Sequence, residues 1–286
     1  MPAGRPPGGR RGWLRVSSNE YVAALEEMLA RPNDADGLAG YLAENSRLPG
    51  PRGNLELATA FANTVSSSAE RPAWYPVLVD WAATPSDVVP TNDQREFLPF
   101  CALFALGAEF GGAGEQTRSE IGALLRAAAG NGRWRTREAV AMGMQRIGES
   151  DASALRTLVE QWVEDATLLE QRAIVAALAH PPILGDQSTV QLSLGVSRRF
   201  VLGIRSLTPP ARRTEEFRIL SKGLEYAISV FVAAAPADGF ALLRELAAID
   251  DRDVQRIVRS NLGKSRLSRP YPAQVAEIRT QFNVPA

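Results

Sequence analysis

One helical pattern recurs along this chain of 286 residues. Residues 133–148 read RWRTREAVAMGMQRIG, and similar stretches follow at 167–178, TLLEQRAIVAAL, and at 251–262, DRDVQRIVRSNL. In each stretch, small and aliphatic residues recur with the 3.6-residue period of a helix that has one apolar face. Because each copy needs a neighbour to cover that face, the pattern predicts a repeat array, not a single closed core.

The spacing of these helices sets the size of the repeat. An aliphatic residue lies twelve positions before a polar residue of each repeated helix: Leu125 before Arg137, Val159 before Gln171, and Leu243 before Gln255. The first two aliphatic positions are 34 residues apart, and the third lies 84 residues further on, which leaves room for two further helix pairs with an insertion. Residues 183–212 depart from the pattern and predict one irregular repeat.

Helical periodicity continues through most of the chain. From Ser18 onward the segments between breakers such as Pro85 and Pro236 follow it, and runs of β-branched residues with alternating polarity are absent. We therefore predict residues 17–286 to form a single all-α unit without a sheet. Residues 1–16, rich in Pro, Gly and Arg, are predicted to be a disordered tail. A basic arm for nucleic acid and a misassigned translation start are the alternatives.

The helix pairs resemble HEAT repeats of bacterial type. The resemblance covers about residues 55–267 and is carried by LLRAAAGNGRWRTREAVAMGMQRIG, LVEQWVEDATLLEQRAIVAAL and LLRELAAIDDRDVQRIVRSNLGKSRL. It implies a right-handed α-solenoid of antiparallel helix pairs, of the HEAT/armadillo kind. It also implies a non-enzymatic binding or scaffold module for a protein or peptide, held on the concave surface. HEAT-like alkylpurine DNA glycosylases suggest the alternative, a nucleic-acid-binding protein, although no residue-by-residue match to their site is found.

Composition narrows the remaining chemistry. The 32 cationic and 32 acidic residues cancel, so only a local patch could favour nucleic acid or a membrane surface. Cys101 is the single cysteine and His180 the single histidine, which excludes Cys/His zinc clusters within one chain. No apolar run reaches the roughly 20 residues of a bilayer span. We expect a cytoplasmic protein with no cofactor, no metal site and no membrane partner.

Three features that could carry chemistry have simpler interpretations. His180 ends a helix, where an imidazole interacts well with the free carbonyl groups. Asp250, Asp251 and Asp253 could hold a cation, but capping of the following helix explains them. The sequence Gly263-Lys264-Ser265 resembles the end of a P-loop, yet it follows a helix and lacks the first glycine of that motif.

The candidate binding residues form four groups, the last of which is a cationic patch near the C-terminus. Trp134 is a possible binding anchor or a part of the core between repeats. Arg137 and Arg172 fall at the starts of repeated helices, where they could bind a ligand or tie adjacent turns together. In the helix at 215–234, two apolar faces are expected to be buried: a main face of Phe217, Leu220, Leu224, Ile228 and Phe231, and a second face of Ile219, Tyr226 and Val230. They leave a narrow polar stripe, which is expected to face the concave groove. The stripe consists of Arg218, Lys222, Glu225 and Ser229.

A cationic patch follows near the C-terminus. Arg252, Arg256 and Arg259 are spaced four and three residues apart, so they share one helix face. The simple interpretation is a solvated outer face on the last helix. The alternative hypothesis is that this end of the solenoid docks an acidic partner or a phosphate backbone, with binding that weakens as salt rises.

Overall fold

The computed structural model describes residues 18–282, and these residues form fifteen α-helices and no strand. The all-α class expected from the periodicity is confirmed. The predicted tail, residues 1–16, lies outside the described residues. The helices are α1 (Ser18–Leu29), α2 (Ala35–Glu44), α3 (Leu55–Ser67), α4 (Arg71–Ala83), α5 (Phe97–Glu109), α6 (Glu115–Ala129), α7 (Trp134–Ser150), α8 (Ala152–Val163), α9 (Leu168–Leu178), α10 (Gln187–Gly203), α11 (Glu215–Ala234), α12 (Pro236–Ala247), α13 (Arg252–Leu262), α14 (Ser265–Ser268) and α15 (Pro272–Gln281).

Polar caps fix where several of these helices begin. The side chains of Asn54, Asp151 and Thr214 each accept a hydrogen bond from a backbone N–H of the first turn. The side chain of Thr167 does the same for α9, and the carboxylate of Glu170 accepts a hydrogen bond from the backbone N–H of Thr167. These two bonds form a capping box. Side-chain oxygens at these positions satisfy N–H groups that the helix itself leaves free, so the helix starts are set locally by sequence.

The helices stack in two layers. The odd-numbered helices α1 to α13 form one layer, in which each packs along its length on the next. The even-numbered helices α2 to α12, followed by α15, lie over it and touch one another less extensively. Consecutive helices are packed more closely in the odd-numbered layer, which is called the inner layer, than in the other, which is called the outer layer. The molecule is a helical-repeat α-solenoid, as the repetition in the sequence predicted.

The repeated apolar positions form the core between units. All six aligned positions are buried, and they join one continuous hydrophobic cluster. One apolar face of each repeated helix therefore packs against its neighbours, which explains why the chain repeats the pattern. The six are Val140, Met144, Ile174, Leu178, Val258 and Leu262.

Two glycines allow a very close approach between α5 and α7. A Cβ atom built on Gly107 would lie 2.3 Å from the backbone oxygen of Gly143, and one built on Gly143 would lie 2.7 Å from the oxygen of Leu103. Only glycine fits where two backbones come this near. Nearly all of α5 is buried, including Cys101, whose place in the apolar run FLPFCALFAL favours burial.

The stretch expected to be irregular, residues 183–212, is only partly so. Most of it forms α10, which packs on α8, α9 and α12 as the other outer helices pack on their neighbours. The departure begins after α10, where residues 204–214 form a long connector that contains two short 3₁₀ turns. The corresponding turn between α8 and α9 spans only residues 164–167. Only one helix pair, α10–α11, lies between the pair that contains Val159 and the pair that contains Leu243, where the spacing left room for two. The long helices α10 and α11 and the 204–214 connector fill the remaining residues.

Helix α11 lies between α9 and α13, and its burial corrects two expectations. Tyr226, expected in a buried face, is 50% exposed, with the guanidinium of Arg266 lying 4.6 Å from its ring centroid. Ser229, expected on the polar stripe, is fully buried against α13, where its backbone N–H donates to Oδ1 of Asn261 at 2.8 Å. The main apolar face is buried as expected: Phe217, Leu220, Leu224, Ile228 and Phe231.

Candidate binding cleft

A cleft of about 370 Å³ opens beside the N-terminal half of α11. Its walls come from three segments: the connector at 204–214, α11 itself and the first turns of α13. The structure brings together four of the residues singled out in the sequence, Arg218, Lys222, Glu225 and Arg256. Among residues 18–282, the lining consists of Arg212, Arg213, Thr214, Phe217, Arg218, Ser221, Lys222, Glu225, Asp253 and Arg256.

Positive charge dominates this cleft. Its lining holds five cationic side chains and two carboxylates, in a chain whose cationic and acidic totals are equal at 32 each. Both carboxylates are engaged by one arginine: Nε of Arg256 lies 3.0 Å from Oε1 of Glu225, and its Nη1 lies 2.8 Å from Oδ1 of Asp253. The remaining cations therefore have little negative charge near them inside the cleft.

Arg212 fixes the connector to α13. Its Nη1 donates to Oδ2 of Asp251 at 2.7 Å and to Oδ2 of Asp253 at 3.2 Å, and its Nε donates to the carbonyl oxygen of Leu207 at 3.3 Å. Burial alone would raise the pKa of Asp251, but the hydrogen bonds from Arg212 and from backbone N–H groups of α13 bring it below its ordinary value. Arg212 thus builds the wall of the cleft.

Three other cations present their charge to solvent. Arg213 and Lys222 are exposed, and within residues 18–282 neither forms an ion pair with a carboxylate. Arg218 pairs with Glu215 one turn earlier on α11, and both of these side chains are more than half exposed. Exposed pairs of this kind contribute about 0–1 kcal/mol, so Arg218 can exchange its partner for a ligand at little cost.

The floor of the cleft is formed by two buried residues of α11, Phe217 and Ser221. Phe217 is 3% exposed and Ser221 is 2% exposed, because both belong to the face of α11 that enters the core. The hydroxyl of Ser221 accepts a hydrogen bond from Nη2 of Arg256 at 2.8 Å. A buried floor with cations around the rim can hold an anionic group near an apolar surface, where electrostatic attraction is stronger than in bulk water.

Arg137 and Arg172, at the starts of α7 and α9, lie outside the cleft and tie turns together. Nη1 of Arg172 donates to the carbonyl oxygen of Arg137 at 3.1 Å, and its Nη2 pairs with Glu138. Nη1 of Arg137 donates to the carbonyl oxygen of Asn131 at 2.6 Å. Burial lowers the pKa of Arg137 and the charge of Arg172 lowers it further, while Glu216 at the start of α11 opposes the shift. Both guanidinium groups are thus committed to contacts inside the protein.

Trp134 and two residues of the C-terminal patch also lie away from the cleft. Trp134 is 43% exposed, and the guanidinium of Arg135 lies 4.5 Å from its ring centroid. Arg259 lies 4.5 Å from the ring centroid of Phe282. Arg252 is exposed, with no ion pair among residues 18–282.

The expectation that α13 ends the array is wrong, since α14 and α15 follow it and α15 packs on α12.

Two buried arginines escaped the sequence analysis. Arg133 is 1% exposed and donates to the carbonyl oxygens of Val89 at 3.2 Å and Thr84 at 2.5 Å. Nη1 of Arg135 lies 2.9 Å from Oε2 of Glu96, a pair whose side chains are 5% and 0% exposed. Together they hold the connector between α4 and α5. No local pattern could have found them, because Glu96 is 39 positions away in the chain.

The structure also places the residues considered for catalysis or metal binding. Nε2 of His180 lies 2.6 Å from Oε1 of Glu149, so the ring contacts a carboxylate and not the helix end that was expected. Asp251 caps α13 by accepting bonds from two backbone N–H groups. Across residues 18–282 no cluster of three metal-ligating side chains is found. The helices in this range are also too short or too polar to cross a bilayer.

Comparison with known proteins adds little to this description. No family model and no curated protein matches the chain. Among solved structures, a designed armadillo repeat protein, YIII(Dq)4CqI, is 16% identical with a TM-score of 0.31, covering 77% of this chain and 97% of its own. A second, YIII(Dq.V1)4CPAF in complex with the peptide (KR)4, is 14% identical with a TM-score of 0.34, covering 83% and 98%. Since these scores are low, the assignment to the α-solenoids rests on the two-layer stack itself.

Proposed function

We propose that this protein is a non-enzymatic binding module that holds an acidic segment of a partner protein in the cleft between α11 and α13. The observation that carries the proposal is the excess of positive charge in a built cleft of an otherwise neutral chain. Arg213, Arg218 and Lys222 surround a buried floor, and the fold supplies them with little opposing charge. Helical-repeat solenoids commonly bind partners on a surface shared by neighbouring repeats, and α11 and α13 are neighbours in the inner layer.

A peptide carboxylate suits this cleft better than a nucleic-acid backbone. Specific protein–DNA interfaces bury roughly 1,000–2,500 Å² of protein surface and neutralise several phosphates along a duplex. Here the free cations cluster in one cleft of about 370 Å³, and Glu225 and Asp253 lie among them. A glycosylase-like site would need an aromatic ring and a free carboxylate together. The one aromatic residue in the described lining, Phe217, is buried, and both carboxylates are paired with Arg256.

The test is a binding titration with labelled probes at low and increasing salt. The probes are a glutamate-rich peptide, the same peptide with glutamine in place of glutamate, a single-stranded oligonucleotide and a duplex. We expect the glutamate peptide to bind at low salt and to weaken as salt rises, because counterions screen exposed charges. The glutamine peptide should not bind.

Matched variants locate the binding. The double change Arg213→Glu and Lys222→Glu should weaken binding of the glutamate peptide at least about tenfold, since it reverses two charges at the rim. The control, Arg52→Glu with Arg279→Glu, makes the same change in net charge at exposed positions outside the cleft and should leave binding intact. Absence of peptide binding at low salt, or equal losses in both variants, would refute the proposal. Tighter, cleft-dependent binding of an oligonucleotide would favour the nucleic-acid alternative.

A further inference from the structure

An apolar pocket borders the same 204–214 connector as the cleft and shares none of the lining residues of the cleft. Its volume is about 170 Å³, and it is lined mainly by aliphatic and aromatic side chains, among them Leu168, Phe200, Ile204, Leu207 and Leu220. Arg199 and Glu164 also line it, and their exposed side chains form a two-pronged ion pair with N–O distances of 2.8 Å. The pocket therefore has an apolar interior and a charged rim.

The pocket and the cleft share their walls. Leu207 lines the pocket and Arg212 lines the cleft, and Nε of Arg212 donates to the carbonyl oxygen of Leu207 at 3.3 Å. The same holds on α11, where Leu220 borders the pocket and its neighbour Ser221 borders the cleft. The two openings thus flank one connector and one turn of α11.

The size of the pocket defines what it can hold. An engineered cavity of about 150 Å³ lined by Leu, Ile and Phe binds benzene, so a pocket of about 170 Å³ has room for one phenylalanine or leucine side chain. An extended chain advances at most about 3.3–3.6 Å per residue. Because the two openings are separated by a single connector, one short peptide segment can reach both.

We infer that the pocket is the second half of the same binding site and takes one large apolar side chain of the bound segment. This inference rests on the proposed function and sharpens it. The partner segment carries a cluster of acidic residues, held by Arg213, Arg218 and Lys222, and a phenylalanine or leucine a few positions away, held in the pocket. Two-part recognition of this kind separates the true partner from acidic segments that lack the apolar residue.

The test uses two sets of glutamate-rich peptides that differ at one position, which is phenylalanine in the anchored set and serine in the other. The position of that residue relative to the glutamates is varied across each set. Burial of a large apolar side chain contributes about 1.5–3 kcal/mol. At one register, the anchored peptide should therefore bind the unmodified protein at least about tenfold tighter than its serine counterpart.

A glycine at the edge of the pocket provides a pocket-filling variant. Gly203 lines the pocket in a helical conformation, and a Cβ atom built there would meet no atom within 4 Å. Gly203→Leu should fill the pocket without disturbing the backbone. Gly195→Leu is the matched control: it makes the same change on the same helix, also with nothing within 4 Å of the added Cβ, and Gly195 lies outside the pocket.

The expected pattern is specific. Gly203→Leu should reduce the affinity for the anchored peptide to that for the serine peptide and leave the serine peptide unchanged, while Gly195→Leu should change neither. If phenylalanine gives no gain at any register, or Gly203→Leu weakens both peptides equally, this inference is wrong although the cleft still binds acidic peptides. If neither set binds, both this inference and the proposed function are wrong.

Discussion

Two arginine-rich regions of this solenoid differ in the burial of their cations and in whether the fold pairs them. At the junction of α4, α5 and α7, Arg133 and Arg135 are almost fully buried, and they bond to carbonyl oxygens and to the carboxylate of Glu96. At the cleft between α11 and α13, Arg213 and Lys222 are exposed and form no ion pair among residues 18–282. The first region holds the molecule together, and the second has charge to offer a partner.

The difference shows that residue type alone does not identify a binding cation. Arg172 and Arg213 are both arginines near the starts of inner helices, yet Arg172 is bound to the preceding repeat and Arg213 is not. What separates them is whether the fold already supplies an acceptor. A buried charge without a partner is strongly unfavourable, so arginines that enter the interior must be satisfied there. An exposed cation needs no internal partner and remains available.

The largest effect should come from breaking the buried pair. Arg135→Met removes the partner of Glu96 and leaves a carboxylate in the core, which should lower the free energy of unfolding by about 3–5 kcal/mol in chemical denaturation. Adding Glu96→Gln should recover part of the loss, because a neutral amide is less unfavourable to bury than a charge. A loss below about 1 kcal/mol would contradict a structural role for the pair.

The core between repeats should be nearly as sensitive. Leu178 is fully buried in α9, so Leu178→Ala should lower the free energy of unfolding by about 2–5 kcal/mol through lost burial and a residual cavity. Leu55→Ala serves as the control, since Leu55 is 42% exposed. Equal, small shifts of the denaturation midpoint in both variants would mean that the buried face of α9 is assigned incorrectly.

A smaller effect is expected at the wall of the cleft. Asp251→Ala removes the cap of α13 and the partner of Arg212, which should cost about 0.5–2 kcal/mol near neutral pH. The folded-state pKa of Asp251 lies below its ordinary value of 3.8. The contribution of the Asp251 carboxylate to the free energy of unfolding is therefore fully present above pH 3.8. It is lost as the pH falls through the folded-state pKa.

A pH series of denaturation curves checks this prediction. The stability gap between the unmodified protein and Asp251→Ala should narrow as the pH falls below 3.8. Asp250→Ala, an exposed neighbour, should show no such narrowing. A difference in stability that does not change with pH would show that Asp251 stabilises the protein through the helix cap alone and not through its charge.

The smallest effect on stability should come from the cations of the cleft. Arg213→Glu and Lys222→Glu should each change the free energy of unfolding by no more than about 0.5 kcal/mol, since exposed positions without partners tolerate substitution. This near-zero effect is the counterpart of the large loss expected for Arg135→Met. If either change destabilised the protein as strongly as Leu178→Ala, the cleft cations would have a structural role and the contrast between the two regions would fail.

The sequence by itself determined the fold class and much of the local structure. The repeated spacing of Val140, Ile174 and Val258 identifies the faces that the neighbouring helices bury, because a helix with one apolar stripe must cover it. The capping residues Thr214 and Asp251 set helix starts through bonds to their own backbone neighbourhood. The polar stripe of α11 likewise identifies Arg218, Lys222 and Glu225 as candidate binding residues from the sequence alone.

Only the tertiary structure decided which charges are available. Arg212 and Arg213 lie in a connector whose path sequence periodicity does not specify, and the stacking of α11 on α13 brings them to Lys222 and Arg256. The environments of Ser229 and Tyr226 were also decided by the tertiary structure. Ser229, expected to be exposed, is buried against Asn261 of α13, and Tyr226, expected to be buried, is half exposed to solvent. Helix periodicity is a local property of the chain, whereas burial and charge pairing depend on residues far apart in sequence.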